Sequence, residues 1–314
     1  MKKISQIILI PFFLVLGFSC SNNNNDNNKS EAFISERENY STQLIPNSFV
    51  SDGETPIPPD SLFKIVKYES EVGLLDAYLS TNIDTTKKYP VVVWAHGGFG
   101  GIGSWFWEDQ SYISSFIHSD VVIFCPSWRG ENNNPGSFEL FYGEVNDLTN
   151  AIEYVSSLAY TDSSRIYLAG HSTGGTLCML ASMMSDKIRA TFSFGGAPDI
   201  QAVVGDGEGY GNTPYDYKVN KESELRSAIN FVQDFKNPVY YFEGEDSFYS
   251  SYALKMEKQA VKMKIPFQTF IVPNGTHFNI VSPINELIVE KIRLDDQPEL
   301  NINFTLEEIN NKMQ

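Results

Sequence analysis

Apolar and polar positions along this chain follow two alternating rhythms. Val91-Val92-Val93-Trp94, introduced by Pro90, and the run 121–125, stopped by Pro126, are continuous apolar stretches of the kind that a sheet buries on both faces. Residues 63–68 and 73–79 read as two shorter opening strands, and residues 165–169, 190–194, 238–242 and 266–272 as four further ones. Between them the period lengthens. Val145, Leu148, Ile152 and Val155 recur at helical spacing within 143–158, and the pattern predicts helices over 173–184, 249–264 and 283–292, with a short amphipathic helix over 304–313. Buried strands alternating with helices predict an α/β fold, a mostly parallel central sheet with helices on both faces.

The N-terminus breaks this pattern. Lys2 and Lys3 precede an apolar run, residues 8–18, that is too short to span a bilayer and reads as a secretory signal. It ends in Leu16-Gly17-Phe18-Ser19-Cys20, which resembles the lipobox of bacterial lipoproteins except at Phe18, where a small residue is usual. The resemblance implies removal of residues 1–19, lipidation of Cys20 and a membrane-anchored exported protein, on the periplasmic face or at the cell surface. More than one acyl chain makes a stable anchor. The Asn-rich stretch that follows has no apolar period, so residues 20–40 read as a flexible tether and residues 41–314 as one domain. The segment between the strands at Ala190 and Pro238 is long for a crossover. It carries Tyr210, Tyr215 and Tyr217, and residues 200–237 read equally as a lid insertion or as a surface loop with packed aromatics.

Composition narrows the classes. With 23 Lys+Arg against 39 Asp+Glu the net charge is −16, which lacks the basic footprint of a nucleic-acid binder. Three cysteines cannot build a disulfide framework, and Cys125 and Cys178 read as packed free thiols. No metal-ligand spacing occurs, so neither a metal nor another cofactor is expected. Gly98 to Gly103 matches G-x-G-x-x-G, but the next strand starts rather than ends beside an acid, Asp120, which argues against a dinucleotide site.

The chemistry-bearing motif is Gly170-His171-Ser172-Thr173-Gly174, a G-x-S-x-G placed between a predicted strand and a predicted helix. That context is a nucleophile elbow, where a serine sits on a sharp turn and its neighbours must be small. A serine needs a base. Of four histidines, His277 follows the last strand, at the sheet edge where parallel sheets keep catalytic groups, whereas the side chain of His171 is expected to point away from the serine. The acid that orients it is expected after the strand 238–242, with Asp246 the first choice, Glu245 the alternative and Asp199 a third option. Oxyanion donors are expected from the amide of Thr173 and from Gly98 or Phe99 in the loop His96-Gly97-Gly98-Phe99-Gly100.

These segments, with Trp128-Arg129-Gly130, Pro135-Gly136 and Asp147, resemble the α/β-hydrolase superfamily over residues 63–292, and within it the catalytic domain of the prolyl oligopeptidase (S9) group of serine peptidases. The resemblance implies an α/β-hydrolase fold and a Ser-His-Asp acyl-transfer mechanism. Three departures stand out. The chain has no room for that group's N-terminal propeller. His96 stands where prolyl oligopeptidases carry a tyrosine. A single residue, rather than two, separates Gly244 from Asp246. The expected substrate is therefore a small carboxylic ester, with a short peptide as the alternative. A non-catalytic, ligand-binding surface lipoprotein on the same fold is the reading from another class. Asp147 is expected to anchor a loop, and Arg129 to fix the loop 131–136.

Overall fold

The computed structural model describes residues 31–45, 53–108, 112–205, 210 and 213–314. Eight strands form one sheet: β1 (Phe63–Ser70), β2 (Gly73–Ser80), β3 (Tyr89–Ala95), β4 (Val122–Pro126), β5 (Thr161–His171), β6 (Ile188–Phe194), β7 (Val239–Gly244) and β8 (Phe267–Val272). Their spatial order is β1-β2-β4-β3-β5-β6-β7-β8. The pairs β1/β2 and β2/β4 are antiparallel and every other pair is parallel. Among the described residues the helices are α1 (Ala32–Glu38), α2 (Ser114–Ile117), α3 (Gly143–Ser156), α4 (Thr173–Ala181), α5 (Ile200–Val203), α6 (Asn220–Glu224), α7 (Ser250–Met263), α8 (Val281–Leu294) and α9 (Leu306–Lys312).

Strand alternation divides the core in two. Val91, Val93 and Ala95 of β3 face the layer that holds α3, α4 and α7, whereas Val92 and Trp94 face the layer of α2, α8 and α9. Both faces of β3 are thus dry, which is why its sequence is a continuous apolar run.

Two features differ from the sequence pattern. The tether expected over 20–40 is helical in its last part. In α1, Phe33 is fully buried against Phe231, with ring centroids 5.1 Å apart, and Arg37 donates to the Tyr142 carbonyl at 2.7 Å. Residues 1–30, including Cys20, lie outside the described residues. Arg129, expected to fix the loop 131–136, instead turns its fork to Asp147 (Nε–Oδ2 2.9 Å, Nη2–Oδ1 2.8 Å) and to Glu139 at 2.7 Å. Asp147 also takes the Arg129 backbone N–H, so it fastens the turn after β4 to α3. The loop itself is held by Asn132 and Asn134, which bond to Ile102, Ser127 and Trp128.

The insertion is pinned at its C-terminal end. Arg226 is fully buried and donates to Glu222, to the carbonyls of Glu139 and Leu140, and to the Thr42 hydroxyl. Its guanidinium also lies 4.1 Å from the ring centre of Tyr215, so that tyrosine packs for structure. Cys125 and Cys178 are buried free thiols, and burial raises both above the ordinary thiol range.

Candidate active site

The strand β5 runs to His171 and α4 begins at Thr173, so one residue, Ser172, makes the whole turn between them. Its backbone has φ 56° and ψ −118°, a conformation that L-residues avoid. The Ser172 N–H donates to the Phe194 carbonyl at 2.7 Å, which ties the turn to the end of β6. The turn closes only around small neighbours: a Cβ on Gly174 would lie 2.1 Å from the Ala95 carbonyl oxygen, and one on Gly170 would lie 2.6 Å from the Gly174 oxygen.

The loop after β3 lies beside the serine, since a Cβ on Gly97 would be 3.4 Å from the Ser172 Cβ. Two side chains set its peptides. His96 is fully buried, with Nε2 3.0 Å from Glu131 and Nδ1 3.2 Å from the Gly97 carbonyl, and its ring stacks on Trp128. Burial works against its charge, but Glu131 and the Gly97 carbonyl outweigh that and hold the imidazole above its ordinary pKa. Thr173 Oγ1 donates to the Gly98 carbonyl at 2.9 Å. In a trans peptide N–H and C=O point in opposite directions. The Gly98 N–H is therefore turned away from His96, and the Phe99 N–H away from Thr173. Phe99 contributes its ring instead, which lies 5.6 Å from that of Tyr210 in the insertion.

His277 sits in the loop after β8, and that loop is held from the elbow. His171 turns to the His277 loop: its Nε2 donates to the His277 carbonyl at 2.8 Å, and the two rings are 4.7 Å apart. Burial lowers the His171 pKa to about 4, so at neutral pH its imidazole is the uncharged donor this bond needs.

The acids expected beside His277 are elsewhere. Asp246 and Glu245 are exposed. Asp246 bonds through its backbone N–H to Gly275, and the Glu245 carboxylate accepts the Asn274 N–H at 3.2 Å. Asp199 caps α5 by accepting the Ala202 N–H at 3.0 Å. The carboxylate that faces Nδ1 of His277 is Glu243, fully buried near the end of β7, with Oε1 at 3.5 Å. Glu243 opens the stretch after residue 242 where the sequence led us to expect the acid, but only Asp246 and Glu245 were weighed there. The available signal was a charged residue inside a strand covered on both faces, where a charge requires a partner.

A cleft of about 420 Å³ opens at Ser172. Gly97 and Gly98 form one wall, and Trp105, Tyr112, His171 and Phe278 supply aromatic surface.

The BD-FAE family model matches residues 75–213, a span that includes the elbow. Among curated relatives, the uncharacterized peptidase YtmA of Bacillus subtilis is 26% identical over 204 residues, covering 61% of this chain and 77% of that protein. Dipeptidyl-peptidase 5 of Porphyromonas gingivalis is 22% identical over 234 residues, covering 68% of this chain but only 34% of that protein. Among solved structures, an acylaminoacyl peptidase of Pyrococcus horikoshii superposes with a TM-score of 0.66 at 18% identity, over 79% of this chain and 44% of that one. This chain has the α/β-hydrolase fold. An esterase of Pyrobaculum calidifontis aligns at a TM-score of 0.61 and 15% identity, over 75% of this chain and 86% of that one. With a serine on the elbow of this fold and relatives among peptidases, the chain is a serine hydrolase of the esterase or S9-like peptidase type.

Proposed function

We propose that this hydrolase cleaves a carboxylic ester through an acyl-enzyme on Ser172. The observation that carries the reading is the strained elbow, which lifts the Ser172 hydroxyl into a cleft beside the His277 loop. Ser172 Oγ attacks the ester carbonyl while His277 accepts the hydroxyl proton. The N–H groups of Thr173 and Gly98 receive the developing oxyanion. The tetrahedral adduct collapses, the ester C–O bond breaks and His277 returns the proton to the departing alcohol. Water then attacks the acyl-serine by the same route in reverse and releases the acid and the free hydroxyl.

The ester preference rests on the cleft, whose lining among the described residues carries no carboxylate, lysine or arginine and is largely aromatic. Such walls accept an uncharged acyl or alcohol group and offer no counter-ion to a peptide terminus. The peptide reading is favoured by one finding, the names of the curated relatives. A fluorophosphonate probe on the full-length protein is the first test. Wild type labels and Ser172→Ala does not. A folded wild type that stays unlabelled would instead favour a ligand-binding protein without catalysis. A panel of acyl esters and aminoacyl amides then separates esterase from peptidase, with higher kcat/KM expected on the esters. We also propose that Cys20 carries the lipid anchor, so that Cys20→Ser moves the protein from the membrane to the soluble fraction.

A further inference from the structure

The roles given above to Ser172 and His277 leave one requirement open. An imidazole acts as a base only when its far nitrogen is held, so that the other keeps a lone pair aimed at the hydroxyl. Resting on that reading, we propose that Glu243, rather than an acid of the loop after β7, is the carboxylate that positions His277.

Four observations converge on it. Glu243 Oε1 is 3.5 Å from His277 Nδ1, and Oε1 also accepts the Gly244 N–H at 3.0 Å, which fixes the direction of the side chain. Glu243 Oε2 and His277 Nδ1 are both buried, and neither has a hydrogen-bond partner. Unpartnered atoms on one buried carboxylate and on the imidazole it faces are costly, and bonds of this kind tighten when the site is filled. The backbone opposite makes room for the pair. Gly195, at φ +58°, could carry no side chain, because a Cβ there would lie 2.4 Å from His277 Cε1, 2.5 Å from Nδ1 and 2.9 Å from Glu243 Oε2. Finally, Asp246 and Glu245 are exposed and Asp199 caps a helix, so none of the three meets the imidazole.

The chemistry is consistent with the placement. A glutamate reaches one methylene further than an aspartate, so an acid starting on the strand itself, one residue before Gly244, can reach the nitrogen that a loop aspartate would otherwise serve. When His277 takes the serine proton, the new imidazolium stands against a fully buried carboxylate, where the attraction is stronger than at the surface. No proton passes to Glu243 in this step. It is a positioning residue.

The test uses full-length wild type, E243Q, E243D, D246N and E245Q with an activated aryl ester. E243Q is expected to lose about a thousand- to ten-thousandfold in kcat with KM within a few fold, as when a buried triad carboxylate becomes an amide. D246N and E245Q stay within about threefold of wild type, since exposed loop acids away from the imidazole contribute little. E243D keeps the charge at a shorter reach and should recover part of the loss, which also covers the case that E243Q folds poorly. The acid limb of kcat/KM should move to lower pH in E243Q, because removing a nearby negative charge makes the imidazole easier to deprotonate. A packing role alone would not move that limb. Collapse of D246N or E245Q with E243Q near wild type overturns the assignment, as does an unmoved pH limb in the slowed but measurable E243Q. If wild type itself fails to label with fluorophosphonate, the Ser172–His277 reading fails first.

Discussion

Replacing Ser172 by glycine should abolish turnover and at the same time make the protein harder to melt. Ser172 holds φ 56° and ψ −118°, a region that a Cβ disfavours and glycine enters freely. Residues held in such regions carry roughly 1–3 kcal/mol of strain. Glycine returns about 0.5–1 kcal/mol of that through the greater freedom of its unfolded chain. The balance is a gain of about 0–2.5 kcal/mol, which for a domain of this size is an upward shift in Tm of up to about 5 °C. Ser172→Ala is the matched control: it removes the same hydroxyl but keeps the Cβ, and so should melt with wild type. Scanning calorimetry on the three proteins reads the difference directly. If S172G melts below S172A by the full cost of glycine's unfolded-chain freedom, about 0.5–1 kcal/mol, the elbow stores no strain and the poised nucleophile loses its physical basis.

Three further outcomes follow from the geometry. Gly195→Ala should cost about a hundredfold or more in kcat/KM, because displacing a reacting group by about 1 Å has that effect, while circular dichroism stays native; a fully active G195A would mean that His277 does not work from where it lies. Burial pushes the Glu144 carboxyl up to about 8, so it is neutral in the folded protein and ionised in the unfolded chain at neutral pH. A raised acid of this kind gives stability that is complete below pH ~4.5 and drains away as pH climbs towards 8, on the order of a few kcal/mol. Urea melts at pH 5 and pH 8 should therefore show a smaller decline in Glu144→Gln than in wild type, and parallel declines would refute the shift. Asp147→Ala leaves the buried Arg129 fork half-paired and should cost about 3–5 kcal/mol, read as a lower urea midpoint.

Much of this architecture was legible from periodicity because its causes are local. The run at Val91 became a strand buried on both faces, and the spacing of Val145, Leu148 and Ile152 became one face of α3. The elbow was legible because a strand, a turn and a helix meet within five residues. What was not legible depends on partners far away in the chain. Only Phe33 and Arg37 of α1 are buried, too few to give seven residues a helical apolar period, and both are held by groups more than a hundred positions away. Glu243 is the first residue of the stretch where an acid was sought, and nothing local set it above Asp246 and Glu245. Its burial beside His277 is set by the β7–β8 pairing and by the left-handed bend at Gly195, neither of which leaves a local mark. His171 was expected only to point away from Ser172, and where it points instead, to the His277 backbone, appears only once the two loops share one rim.

The guanidinium of Arg226 acts as a rivet through three plies of chain: the stretch after α1, the loop ahead of α3 and the far end of the insertion. Plies fastened this way yield together or not at all. At the near end of the insertion Tyr210 packs on Phe99 and on Phe141, beside the riveted loop. A substitution at Arg226 would cost the frame before it altered selectivity.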